Sequence, residues 1–136
     1  MNNKAFGEVI FDCGFVAETK AELTLWGKSY SISICVKAFF EKDGITQDQE
    51  NAYLAYKLEE REKRASIENM LKHFQEAQTG EPATAISLRA QFSPRTLLFA
   101  RNGEYALLVD DAADPDGGVA ICLSPVEKLV PQDDYL

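Results

Sequence analysis

Four carboxylates crowd into seven residues near the end of the chain, in the run Asp110-Asp111-Ala112-Ala113-Asp114-Pro115-Asp116, which Gly117-Gly118 closes. Carboxylates at that density could gather a divalent cation, split into an acid and a base, or present negative charge to water. Calcium-loop spacing decides against the first. With Gly117 at the sixth position of a twelve-residue calcium loop, Ala112 falls at the first ligand position and Leu123 at the twelfth, so two oxygen donors are missing. Acid and base work needs an environment that separates two pKa values, and adjacent aspartates in a turn share one environment. Asp-Pro-Asp-Gly instead suits a type I turn, with proline second and glycine fourth, which leaves the side chains facing solvent. Asp110, Asp111, Asp114 and Asp116 are therefore expected to contact a partner, with no catalytic residue and no metal or other cofactor assigned.

The remaining reactive side chains are sparse. His73 is the sole histidine, and helical projection puts it beside an apolar stripe, next to Lys72, as a surface or boundary residue. Cys13, Cys35 and Cys122 each lie in apolar surroundings and lack a CxxC pair, so they are expected to be buried free thiols, outside any zinc site. No nucleophile elbow, glycine-rich phosphate loop or zinc-protease motif occurs.

Charge narrows the partner. The 34 residues from Gly103 to Leu136 hold eight acidic residues and one base, Lys128, and account for seven of the eight net negative charges. Such a surface repels nucleic acid and anionic membrane and attracts a basic protein. A phosphate-handling nuclease would want cations beside the carboxylates, and only Lys128 is there. No stretch is apolar for the roughly 18 residues of a membrane span, and Met1–Val9 lacks a secretory signal, so a cytoplasmic protein is expected. With 136 residues, 46% hydrophobic and 26% charged, residues 1–136 fit one domain with its own core.

Strands dominate the first third. Glu8–Asp12 and Ala21–Trp26 are short apolar runs, and Ser29–Phe40 alternates Tyr30, Ile32, Ile34 and Val36 with small polar residues. Gly27 supplies the positive φ of the intervening turn. Thr46 and Gln49 have capping-box spacing and predict a helix start; Gly80 and Pro82 predict its end. Between them Gln49, Ala52, Tyr53, Tyr56, Ile67, Met70, Leu71, Phe74 and Ala77 share one face. Glu60 and Lys63 interrupt that face inside the charged run Glu59–Arg64, where i,i+4 pairs such as Glu60 with Arg64 are expected, and Ser66 is a candidate break. Ala83–Phe92 has no clean period. Asn102-Gly103 between Thr96–Ala100 and Tyr105–Asp110 predicts a type I′ hairpin. Val119–Leu123 and Val126–Val130 predict two closing strands around Ser124-Pro125. The order strands, helix, strands defines an α+β fold: a mainly antiparallel sheet with one long helix on one face.

The segment Arg101–Asp110, then Asp114-Pro115-Asp116 before Gly118-Val119-Ala120-Ile121, then Gln132-Asp133, resembles a family of small bacterial domains of unknown function. Its members often carry an aromatic where Ala113 stands and a Glu-His pair where Asp116-Gly117 stand. Relatives of such domains occur at toxin–immunity loci, so the resemblance implies an immunity-like role. A non-enzymatic binding protein for a basic partner is the leading expectation. A divalent-metal hydrolase using the Asp110–Asp116 loop and a self-associating scaffold using the charged helical stretch are the alternatives.

Overall fold

The structure, a computed structural model, describes residues 1–135. Its strands are β1 (Asn2–Asn3), β2 (Gly7–Phe11), β3 (Phe15–Ala17), β4 (Ala21–Leu25), β5 (Lys28–Val36), β6 (Phe92–Phe99), β7 (Tyr105–Asp111), β8 (Asp114–Ser124) and β9 (Lys128–Pro131). Helices α1 (Gln47–Thr79) and α2 (Ala85–Gln91) separate β5 from β6, and α3 (Gln132–Tyr135) follows β9. All nine strands join one sheet, in the order β1-β2-β3-β5-β6-β7-β8-β9, with β4 on the same edge of β5 that β3 uses further along. Every pairing is antiparallel except β5 with β6. That parallel pair needs a long crossover, and α1 with α2 supplies it. The fold is α+β, with α1 against one face of the sheet.

Alternation along β5 works as expected: Ile32, Ile34 and Val36 are buried in the main core, and Ser31, Ser33 and Cys35 face the other way. The strand ends at Val36, however, and Phe39 and Phe40 stand exposed in the connection to α1. The β4–β5 turn is two residues long, with Trp26 at φ +52° and Gly27 at φ +77°, the left-handed pair of a type I′ turn. Two helices hold that strained tryptophan: its N–H donates to Glu68 of α1, and its carbonyl accepts from Arg89 of α2.

The capping box at Thr46 is in place, with reciprocal bonds of 3.1 and 2.9 Å between Thr46 and Gln49. Gln49 also donates its amide to the carbonyls of Lys37 and Phe99, which ties the helix start to the ends of β5 and β6. At the other end Gly80 adopts φ +72° as the left-handed cap. The helix between them is continuous over 33 residues, about 50 Å. Ser66 does not break it. Where its apolar stripe lapses, Lys63 takes over, donating to the Leu123 carbonyl at 2.7 Å and approaching Glu127 at 3.3 Å. The i,i+4 pair that forms in the charged run is Glu59 with Lys63. Ala77, placed on the apolar face by projection, is exposed.

Ala83–Phe92 resolves into α2, whose capping box pairs Thr84 with Ser87, and its last residue leads directly into β6. At the β6–β7 hairpin, Gly103 N–H bonds to the Ala100 carbonyl, with Gly103 at φ +93° and Asn102 outside the left-handed region. The turn is thus a type I turn followed by a glycine bulge rather than type I′, because Ala100 and Glu104 pair and leave three residues in the loop. Aromatic pairs join α1 to the rest of the fold, Phe6 stacking on Tyr53 and Tyr56 meeting Tyr105 edge-on, while Phe99 stacks on Tyr105 within the sheet. On the sheet face away from α1, Leu98, Leu108 and Ala120 form a small second cluster that Tyr135 helps cover.

Candidate acidic site at the β7–β8 hairpin

The four aspartates come together at one end of the sheet, but in four different environments. The β7–β8 turn is Ala112-Ala113, since Asp111 and Asp114 pair across it. Asp-Pro-Asp-Gly is therefore not the turn. It lies within β8 as an irregular bulge, in which Pro115 to Gly118 oppose the single residue Asp110 between the pairs Val109–Val119 and Asp111–Asp114. Gly118 at φ +92° permits the bulge, and its backbone passes so close to the Val109 carbonyl that a Cβ would sit 2.8 Å from it.

Asp111 is buried, 3% exposed, which corrects its assignment to a partner-facing surface. It lies on the inward face of β7 with Leu107 and Val109, and its carboxylate accepts from the Ala113 N–H and from the Gln91 amide, each at 2.9 Å. Gln91 in turn accepts from Gln75 at 2.7 Å and donates to Gln78 at 3.0 Å, so a chain of amides anchors the hairpin to α1 and α2. Burying a carboxylate is costly unless such donors replace water.

Asp110 points outward and pairs with Arg95 Nε at 3.2 Å. The Arg95 Nη2 also donates to the buried Gln132 side chain, whose nitrogen reaches the Gly117 carbonyl; both contacts are 2.8 Å, in the amide orientation that satisfies its two neighbours. Asp114 lies against Gly117 and is exposed, as is Asp116. A shallow concavity of about 370 Å³ opens between the hairpin and the α2–β6 junction, with Asp110, Asp111 and Asp114 on its wall and Asp116 outside it. Among the described residues no three His, Cys, Asp or Glu side chains are grouped to hold a metal. Arg95, Gln91 and Gln132 are the members that sequence reasoning missed. Gln132 was visible only as part of a motif, and the other two lie 15 and 20 residues before their aspartates.

The other reactive groups lie elsewhere. His73 is exposed on α1. Cys122 is buried and Cys35 half-buried, and burial pushes both thiols up, away from the thiolate. Cys13, expected to be buried, is exposed because it occupies the β2–β3 turn at φ +56°. All three thiols are free. No described helix is long and apolar enough to cross a membrane. Comparison with protein-family models, curated proteins and solved structures finds no match.

Proposed function

We propose that the chain is a non-enzymatic cytoplasmic binding protein whose partner is a basic protein, an immunity-like role toward a basic toxin being its most concrete form. The observation that carries this reading is the charge imbalance: seven of the eight net negative charges arise in the last 34 residues. Asp114 and Asp116, exposed beside the β7–β8 turn, contribute to that field, and Asp110 is only partly offset by Arg95. A one-signed surface steers an oppositely charged partner and rejects nucleic acid. Groups with chemical potential have structural employment instead: Asp111 in the amide chain, and Cys122 in the second face of the sheet. The likeness of Arg101–Asp110 and Asp114–Ile121 to bacterial domains with relatives at toxin–immunity loci supports the same direction.

Calorimetry with basic proteins at low and high salt tests the proposal. Affinity should fall as salt screens the carboxylates. Binding that ignores both salt and replacement of surface carboxylates by amides would remove the electrostatic basis. Titration with calcium, magnesium and manganese tests the metal-hydrolase alternative, which saturable binding would restore.

A further inference from the structure

A second acidic concavity lies at the opposite end of β7, beside α1. One part, about 500 Å³, is lined by the first turns of α1, the β6–β7 turn and Ser124-Pro125. Another, about 320 Å³, continues it past Glu62 to Ser66, facing Glu127. Glu59 and Lys63 line both parts, so they form one trough alongside Asp48–Ser66, about 27 Å of helix. Asp48, Glu59, Glu62, Glu104 and Glu127 line it. Among its described lining residues the one cation, Lys63, is already engaged by the Leu123 carbonyl, Glu127 and Glu59.

Charge is only half of the pattern. The floor beside α1 is made by Ala52 and Ala55, which let a neighbouring backbone approach closely. The outward ridge of the helix carries Leu54 and Leu58, four residues apart and so on one line, and Leu58 is 88% exposed. Val126, beyond Pro125 in the β8–β9 turn, is a further exposed aliphatic. Large exposed aliphatics bordering a negative trough match an amphipathic, basic occupant. The hairpin concavity offers aspartates with a single large exposed aliphatic on the adjoining α2, Ile86, four residues before its lining residue Ala90. A second copy of this chain is disfavoured as occupant, because it brings eight more negative charges.

Building on the basic-partner reading, we propose that this trough, rather than the Asp110–Asp116 hairpin, receives the partner, as a helical segment with Lys or Arg on one edge and aliphatic residues on the other. The helix lies along α1, its cations toward Glu59 and Glu104 and its apolar side against Leu54 and Leu58.

The test uses the full chain, ¹⁵N-labelled, and an 18-residue Lys/Leu peptide with helical periodicity, at about 150 mM salt. Amide shifts should concentrate in Asp48–Glu62 and Asn102–Tyr105. Affinity should fall about tenfold in Glu59→Lys/Glu104→Lys and less than about twofold in Asp114→Asn/Asp116→Asn. Shifts centred on the β7–β8 hairpin, with affinity lost in the Asn variant, would overturn the trough and leave the basic-partner reading intact. No saturable binding of the peptide at low or high salt would sink the trough, while failure of every basic protein in the calorimetry above would sink the broader reading. Equal affinity for a peptide with its leucines replaced by alanine would overturn the role of Leu54 and Leu58. Shift mapping on the unmodified protein needs no substitution, so misfolding of a variant leaves the test standing.

Discussion

Asp110 and Asp111 are chain neighbours with opposite employment, and strand geometry is the reason. Successive side chains on β7 point to opposite faces, so Asp111 shares the inward face of Val109 while Asp110 meets water and Arg95. Replacing Asp111 by Ala leaves the Ala113 N–H and one amide proton of Gln91 without their acceptor. The expected loss is about 2–3 kcal/mol of unfolding free energy, read as a lower denaturant midpoint, whereas Asp116→Ala should change stability by less than about 0.5 kcal/mol. Equal effects at both sites would refute the environments assigned to them. This distinction was legible in principle, because period-two alternation from Leu107 through Val109 predicts that Asp111 turns inward. Treating the four aspartates as one loop obscured it. The partners were not legible: Gln91, Arg95 and Gln132 acquire meaning only when α2, β6 and α3 are brought to the hairpin.

Elements announced themselves where a short-range signal had one physical solution. Thr46 with Gln49 and then Gly80 bounded α1 closely, since both motifs satisfy backbone groups within a turn of the chain. Helix α2 escaped notice because seven residues show too little period and its box uses Ser87 where Glu or Gln is the usual signal. The Asn102-Gly103 hairpin was located but its turn misread, since pairing of Ala100 with Glu104 sets the loop length. Gly103 also packs on α1: a Cβ there would lie 2.9 Å from the Asp48 carbonyl, in a residue already at φ +93°. Gly103→Ala should therefore lower stability by about 2–3 kcal/mol. Gly27→Ala, with nothing near its absent Cβ, should cost only the backbone term, about 1 kcal/mol. Thermal melts of both variants would rank them, and a milder Gly103 variant would contradict the close approach of hairpin and helix. Where α1 meets β7, burial and then Glu60 push the Tyr56 hydroxyl up to about 12, against 10.0 for a free tyrosine. Burial, followed by Glu59, raises Tyr105 as well. An ionised tyrosine is thus disfavoured in the folded state: the protonated form contributes full stability below pH 10, and that contribution drains as pH climbs from 10 towards 12. Tyr56→Phe should flatten the alkaline fall in melting temperature, and an unchanged slope would argue against a buried, negatively flanked hydroxyl.

For the whole molecule, the two acidic regions stand at opposite ends of β7, a strand of seven residues and about 20 Å. They are therefore far enough apart, beyond a Debye length at physiological salt, to be varied independently. The first 102 residues are nearly neutral, so the net charge of −8 comes almost entirely from the C-terminal quarter. Ion pairs offset little of this repulsion: those among the described residues, such as Arg95–Asp110 and Lys4–Glu50, have at least one well-exposed partner. Self-repulsion across such a surface opposes the compact state, and salt relieves it. Raising sodium chloride from about 10 to about 300 mM should lift the melting temperature by roughly 2–5 °C while weakening the affinity for a basic partner. The two responses have opposite signs because screening removes repulsion within the chain and attraction to the partner alike. Asp114→Asn/Asp116→Asn should reduce the salt response of the melting temperature, since neither side chain forms an ion pair among the described residues. A melting temperature that falls with salt would mean that attractive pairs outweigh repulsion, and the acidic surface could not then be the dominant electrostatic feature of the fold.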